Sequence, residues 1–156
     1  MSLRTKSLYQ DADKISAIIN KCTVCYVGMS DEHNMPYVVP YNFGYKNGYI
    51  YLHSAQQGKK MDILRQNNNV CVALSTDHQM AFQNEDVACS YLMRYRSVQV
   101  FGHVEFIEDY DEKVEAMNIF MQKYTSRDFK YGAPSINEVS LYKVVVDKMF
   151  GKELGY

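Results

Sequence analysis

No run of apolar residues in this chain approaches the roughly 20 needed to cross a membrane as a helix. Residues 1–6 do not lead into the apolar stretch of a secretory leader, so a cytoplasmic protein with no membrane partner is expected. Neither sign of charge is in excess. A net charge of −1 offers nucleic acid or an anionic lipid surface no long-range attraction, and neither is expected as a partner. No glycine-rich dinucleotide fingerprint and no phosphate-loop motif occurs. Cysteine is scarce at four residues, and zinc is not expected. Cys22-x-x-Cys25 has the spacing of a metal knuckle but lacks a second Cys or His pair at ligand spacing. Residues 23–29 read as a strand, on which positions three apart point to opposite faces. Cys71 sits in Val70-Cys71-Val72-Ala73-Leu74, where a free thiol acts as a small apolar side chain; Cys89 has no evident context. Tryptophan is absent, so aromatic stacking falls largely to 14 tyrosines, most of them on strands, where aromatics are expected.

What is present describes one soluble domain over residues 1–156, with 47% apolar and 22% charged residues. Asp11 caps a first helix carrying Ile15, Ile18, Ile19 and Cys22 at helical spacing. Strands are expected over 23–30 and 36–45. Asn47-Gly48 then forms the two-residue loop of a hairpin, because such loops need positive φ at both positions. A second helix covers 58–66 and ends in three asparagines. Strands follow at 70–76 and 94–107, the latter with Gly102 as a bulge or bend. A third helix starts at Asp109 or Asp111 with an apolar stripe of Val114, Met117, Phe120, Met121 and Tyr124. Residues 125–138 read as an irregular loop and 139–146 as the last strand. Residues 79–93, with Glu85, Asp86 and Cys89, interrupt the pattern and either cover a site or cross a dimer; both carboxylates read as solvated. Many strands with few peripheral helices indicate a mainly β, antiparallel barrel.

Tyr51-Leu52-His53-Ser54-Ala55-Gln56-Gln57-Gly58-Lys59-Lys60 is the most informative stretch. A strand runs into small and polar residues, and Gly-Lys-Lys opens a helix. Free N–H groups at a helix start, its dipole and two ammonium groups make an anion site suited to phosphate. With Asn47 and Gly48 as the loop, Lys46 pairs with Tyr49, and the constant index sum places Asn42 opposite His53 and Tyr41 opposite Ser54. Side alternation puts Tyr41, Phe43, Tyr45, Ile50, Leu52 and Ser54 on a core face. Pro40, Asn42, Gly44, Tyr51, His53 and Ala55 share the other, which carries few bulky groups and is expected to admit a flat ligand. A planar group on the strand and a phosphate at the helix start describe flavin mononucleotide (FMN).

The order Pro36-Tyr37-Val38-Val39-Pro40-Tyr41-Asn42-Phe43, the Asn-Gly turn, Tyr51-Leu52-His53-Ser54-Ala55, Gly58-Lys59-Lys60 and Tyr95-Arg96-Ser97-Val98-x-Val100-x-Gly102 resembles the pyridoxamine 5′-phosphate oxidase-like FMN-binding split-barrel superfamily. Its nitroimidazole-resistance-related branch is the nearer match, over about residues 10–152. The resemblance implies a six-stranded split β-barrel that dimerises and holds FMN at the subunit interface. It also implies that Val38, Val39, Pro40, Tyr41 and Asn42 line the flavin ring, largely through backbone groups. His53, Ser54, Lys59 and Lys60 would hold the ribityl phosphate, Arg96 and Ser97 would contact cofactor across the dimer, and His53 would be the catalytic candidate.

The chain departs from the true oxidase. Tyr37 and Asn42 stand where that enzyme places an arginine and a lysine, and the ending Lys148-Met-Phe-Gly-Lys-Glu-Leu-Gly-Tyr156 contains no arginine. Vitamin B6 oxidation is therefore not expected. The expected function is an FMN-dependent oxidoreductase, a homodimer passing electrons to a small flat acceptor such as a nitroaromatic, with a nicotinamide as transient donor at most. Two alternatives stand beside it: a non-enzymatic flavin or haem sensor or carrier, and a binding module for a deazaflavin or nucleotide.

Overall fold

A computed structural model describes residues 7–156; the expectation for residues 1–6 lies outside them. Strands β1 (Ser7–Tyr9), β2 (Cys25–Ser30), β3 (Pro36–Tyr41), β4 (Gly44–Lys46), β5 (Tyr49–Ala55), β6 (Asn69–Ala81), β7 (Leu92–Ile107) and β8 (Val139–Leu154) form one antiparallel sheet. Its order is β3-β2-β6-β7-β8-β5-β4, with β1 added to β8. Helices α1 (Ala12–Lys21), α2 (Lys59–Gln66), α3 (Tyr110–Gln122) and α4 (Ala133–Asn137) lie at its periphery. The mainly β class is as expected. The strands number eight rather than six, because the three-residue β1 and β4 join six longer ones.

Alternation decides which side chains fill the interior. Ile50, Leu52, Val72, Val98, Val100 and Val144 are buried on the inner face. Helix α1 closes one end, where Asp11 accepts from the Lys14 amide at 3.0 Å and buries Ile15, Ile18 and Ile19. Each such side chain contributes about 1.5–3 kcal/mol. Asp109 caps α3 through the amides of Asp111 and Glu112. The buried face of α3 is Ala116, Ile119 and Phe120; Val114, Met117 and Met121 are half-buried, and Tyr124 is exposed. The apolar stripe read from the sequence is thus rotated by part of a turn.

Four expectations change. The hairpin register holds for Lys46↔Tyr49, Tyr45↔Ile50 and Gly44↔Tyr51, and Asn47 and Gly48 both take positive φ. It stops there. Asn42 and Phe43 leave the ladder, and the Phe43 amide donates instead to the Tyr124 hydroxyl at 2.8 Å. Strand β3 pairs only with β2, while His53 pairs with Leu141 of β8. The sheet is therefore split between β3 and β4. Within 125–138, α4 forms with Pro134 in its first turn, a position that needs no amide. Residues 79–81 do not interrupt the barrel; Gln79↔Arg94, Met80↔Met93 and Ala81↔Leu92 extend the β6–β7 ladder beyond a bulge after Thr76. The last strand runs to Leu154, and Gly102 lies at its expected bulge. No helix among the described residues is long and apolar enough to cross a membrane.

Candidate functional site

Strand β5 ends beside the start of α2, and the loop between them is anchored at Gln56. Arg65 donates to the Gln56 carbonyl at 2.8 Å, and the Gln56 side chain donates to the Asn137 carbonyl. Gly58 takes φ 122° at the N-cap and offers no side chain for capping, a conformation that glycine alone adopts readily. The first bonds of α2 run from the Met61 and Asp62 amides to the Gly58 carbonyl. The Lys59 and Lys60 amides are thus left without a partner inside the helix, as at any helix start. Both lysine side chains reach back over β3: the Lys59 ammonium lies 4.8 Å from the Tyr37 ring centre and that of Lys60 4.7 Å from the Tyr41 ring centre. Two cations, amides without a helical partner and the helix dipole are gathered at the start of α2, surroundings that suit a phosphate dianion.

Strand β3 supplies the surface beside it. Val38, Pro40 and Asn42 face outward and are exposed. Val39 is half-buried against the core and Tyr41 buried, so neither presents its side chain to a ligand on the outer side. The Tyr41 hydroxyl lies 2.8 Å from that of Tyr142, which donates to Ser54 Oγ at 3.2 Å. Burial pushes the Tyr41 hydroxyl far above its ordinary range, keeping it a neutral partner. Ser54 donates inward, to the Ala55 carbonyl at 3.0 Å. Its hydroxyl is engaged within the chain and the residue is buried.

His53 points away from the core and is half-buried. Its ring meets Phe120 edge-on at 4.5 Å, and Nδ1 is buried without a hydrogen-bond partner. Burial, and then the charge of Lys60, lower its pKa from the usual 6.5. The β4–β5 face is not fully open. A Cβ on Gly44 would lie 2.8 Å from Phe120 Cα, so α3 covers that end and the accessible surface is β3.

The lowered pKa carries a prediction. The unfolded chain takes up a proton on this imidazole before the folded chain does. Its share of stability is present above pH 6.5 and is lost as pH falls from there through the folded-state pKa. Proton NMR titration should place the His53 midpoint below 6.5, moving upward in Lys60→Ala; a midpoint that ignores Lys60 would contradict the proximity of the two.

Arg96 and Ser97 lie on β7, with β2 and β6 between them and β3, and do not join the lysines within one chain. Arg96 donates to Asp77 at 2.7 Å and to Glu153 at 3.1 Å. Ser97 lines a groove of about 230 Å³ with Tyr26, Gln99, Phe150 and Lys152. Sequence reasoning missed Tyr37 as the seat of Lys59 and Phe120 as the neighbour of His53; an aromatic facing a lysine across a sheet end is not encoded by any spacing. No group of three or more His, Cys, Asp or Glu among the described residues could hold a metal. All four cysteines are free, and burial pushes the Cys25 thiol up to about 12, which leaves it unreactive.

Against known proteins, residues 11–153 match the family model described as pyridoxamine 5′-phosphate oxidase. The chain is 43% identical to a proposed 5-nitroimidazole antibiotic resistance protein from Bacteroides thetaiotaomicron, with 96% of this chain and 87% of that one covered and a TM-score of 0.86. It shares its fold with a flavocytochrome from Azotobacter vinelandii (20% identity, 94% and 68% covered, TM-score 0.81). It shares it also with an FAD- and haem-binding protein from Mycobacterium smegmatis (15% identity, 94% and 73% covered, TM-score 0.82). No functionally curated protein matches it.

Proposed function

The chain belongs to the pyridoxamine 5′-phosphate oxidase family, and from that premise we propose that it is an FMN-binding oxidoreductase acting as a homodimer. One observation carries the reading: Lys59 and Lys60 are seated on Tyr37 and Tyr41 beside helix-start amides without a helical partner, and the charge of Lys60 is felt by His53. A phosphate would be neutralised by the two ammonium groups and the amides. The outward side of Val38, Pro40 and Asn42 would carry the flat ring. These residues fit a nucleotide with one phosphate and a planar head, as FMN has.

When bound, the flavin supplies the redox chemistry; the protein supplies binding, orientation and exclusion of water. His53 is held neutral at pH 7 by burial and by Lys60; with Nδ1 buried, the other ring nitrogen, Nε2, would be the atom that offers a proton or hydrogen bond to a small flat acceptor. A nitroimidazole is the acceptor class favoured by the 43% identical relative. The homodimer is supported by an outer sheet face that leaves Tyr26, Val38 and Phe101 exposed at 51%, 61% and 41%, unlike a solvated face.

Absorbance of the purified protein tests the cofactor. Flavin bands, or their appearance on titration with FMN, are expected; a spectrum without them and no uptake would remove the reading, and a haem spectrum would replace it. At full FMN occupancy, His53→Ala should reduce nitroimidazole at least about a hundredfold more slowly than wild type, in line with loss of a positioned proton donor or acceptor. Equal rates would leave His53 a passive neighbour.

A further inference from the structure

Beyond Thr76 the β6–β7 ribbon leaves the barrel as an arm, residues 77–94, that no other strand accompanies. Residues alternate sides along it. Met80 pairs with Met93, and Phe82 stacks on Tyr91 at 4.8 Å between ring centres. These four share one side, because 80 and 82, and 91 and 93, are two apart. All four are exposed, at 56%, 49%, 39% and 42%. On the opposite side Arg94 packs against Gly155, whose φ of +80° and lack of Cβ make room for it.

The arm is aimed. Its root is Asp77, in the left-handed region at φ 56°, and the carboxylate is held by Arg96 at 2.7 Å and Lys21 at 3.1 Å. Arg96 also bonds Glu153 and stacks on the Tyr156 ring at 3.9 Å, and the Tyr156 hydroxyl donates to the Asp77 carbonyl. Side chains fixed this way at the base, with an apolar side left in water at the end, describe a docking element set in place before its partner arrives.

The apolar side does not stop at the root. On β7 the row Tyr91, Met93, Tyr95, Ser97, Gln99, Phe101 runs unbroken from the arm onto the outer sheet face, because β7 has no extra residue at the bulge. Tyr26 and Val38 extend that face. Taking about 200 Å² as the full surface of a large side chain, Met80, Phe82, Tyr91, Met93, Tyr26, Val38 and Phe101 leave on the order of 700 Å² in water. That is close to the roughly 800 Å² per partner of a standard interface. The sheet face alone supplies under half of it.

We infer that the arm packs its Met80–Phe82–Tyr91–Met93 side onto a second copy of this chain, and that the homodimer depends on it. This rests on the dimer proposed above. Arg96 is then a positioning residue for the arm.

Sedimentation of wild type and of Phe82→Ser/Met93→Ser, with circular dichroism to confirm folding, tests it. Wild type should be a dimer, and the variant should dissociate about a hundredfold more readily, the scale of losing central apolar anchors. Hydrogen exchange on wild type is the second reading: arm amides should be protected at high concentration and lose protection on dilution. A dimer of unchanged strength in the folded variant, or arm exchange independent of concentration, overturns the arm and leaves the dimer standing. A wild type that is monomeric throughout overturns both.

Discussion

Replacing Lys59 and Lys60 together by alanine is expected to weaken FMN binding by about a hundredfold to a thousandfold, with far-ultraviolet circular dichroism unchanged. Each lysine contributes a charge-assisted contact to phosphate of about 1.5–3 kcal/mol, and both ammonium groups sit over tyrosine rings rather than in ion pairs. Their removal therefore leaves no buried charge unpaired in the protein. The loss should be shallower at high salt, because the attraction is partly screened there, and riboflavin, which lacks the phosphate, should bind both proteins alike. Titration calorimetry or flavin fluorescence quenching measures it. An unchanged affinity for FMN would mean that the phosphate is held elsewhere, and the helix start would lose its assignment.

Gly102→Ala is the second large effect, on stability. Here β8 bulges opposite Gly102, with Asp147 as its extra residue, and an added Cβ would overlap the Val145 carbonyl oxygen and crowd Val146 Cα at 3.3 Å. Backbone cannot swing aside as a side chain does, so the two longest neighbouring strands must separate. We expect a cost of about 3 kcal/mol or more and a fall in Tm of roughly 10 °C. Gly48→Ala provides the contrast. Nothing lies within 4 Å of the added methyl, and only the φ of 81° resists it, so its cost should stay near 1 kcal/mol. Thermal unfolding of the two variants side by side separates steric overlap from backbone strain; similar Tm values would show that the β7–β8 bulge yields easily.

Much of this was legible before any coordinates. Asn47-Gly48 announced its turn because few dipeptides accept two positive φ values, and the alternation around it placed Phe43, Ile50 and Leu52 inside, where they are fully buried. The helix start at Gly58-Lys59-Lys60 was legible for the same reason: glycine, two lysines and a helical period are local. The hairpin deduction failed beyond Gly44 because the choice at Asn42–Phe43 is tertiary. The Phe43 amide finds the Tyr124 hydroxyl from a distant helix, and no local pattern reports that. Helix α3 covering His53 was invisible on the same grounds, since contact with Phe120 depends on how the helix docks. The intrachain partners of Arg96, Asp77 and Glu153, are 19 and 57 residues away, and no local pattern announces them.

The division of the sheet leaves one border of β3 unaccompanied, and its sequence decides what can happen there. Proline nitrogens carry no hydrogen and are tolerated where they point away from a ladder. Pro36 and Pro40 thus turn toward the vacant side together with Val38, which alternation places between them. That margin offers three carbonyl acceptors and a single donor. Another strand needs regular donors to zip along it and would find the pattern broken twice, so fibre-like growth from this border is suppressed. A heterocycle with its own ring N–H groups has no such requirement and can read the margin as it stands.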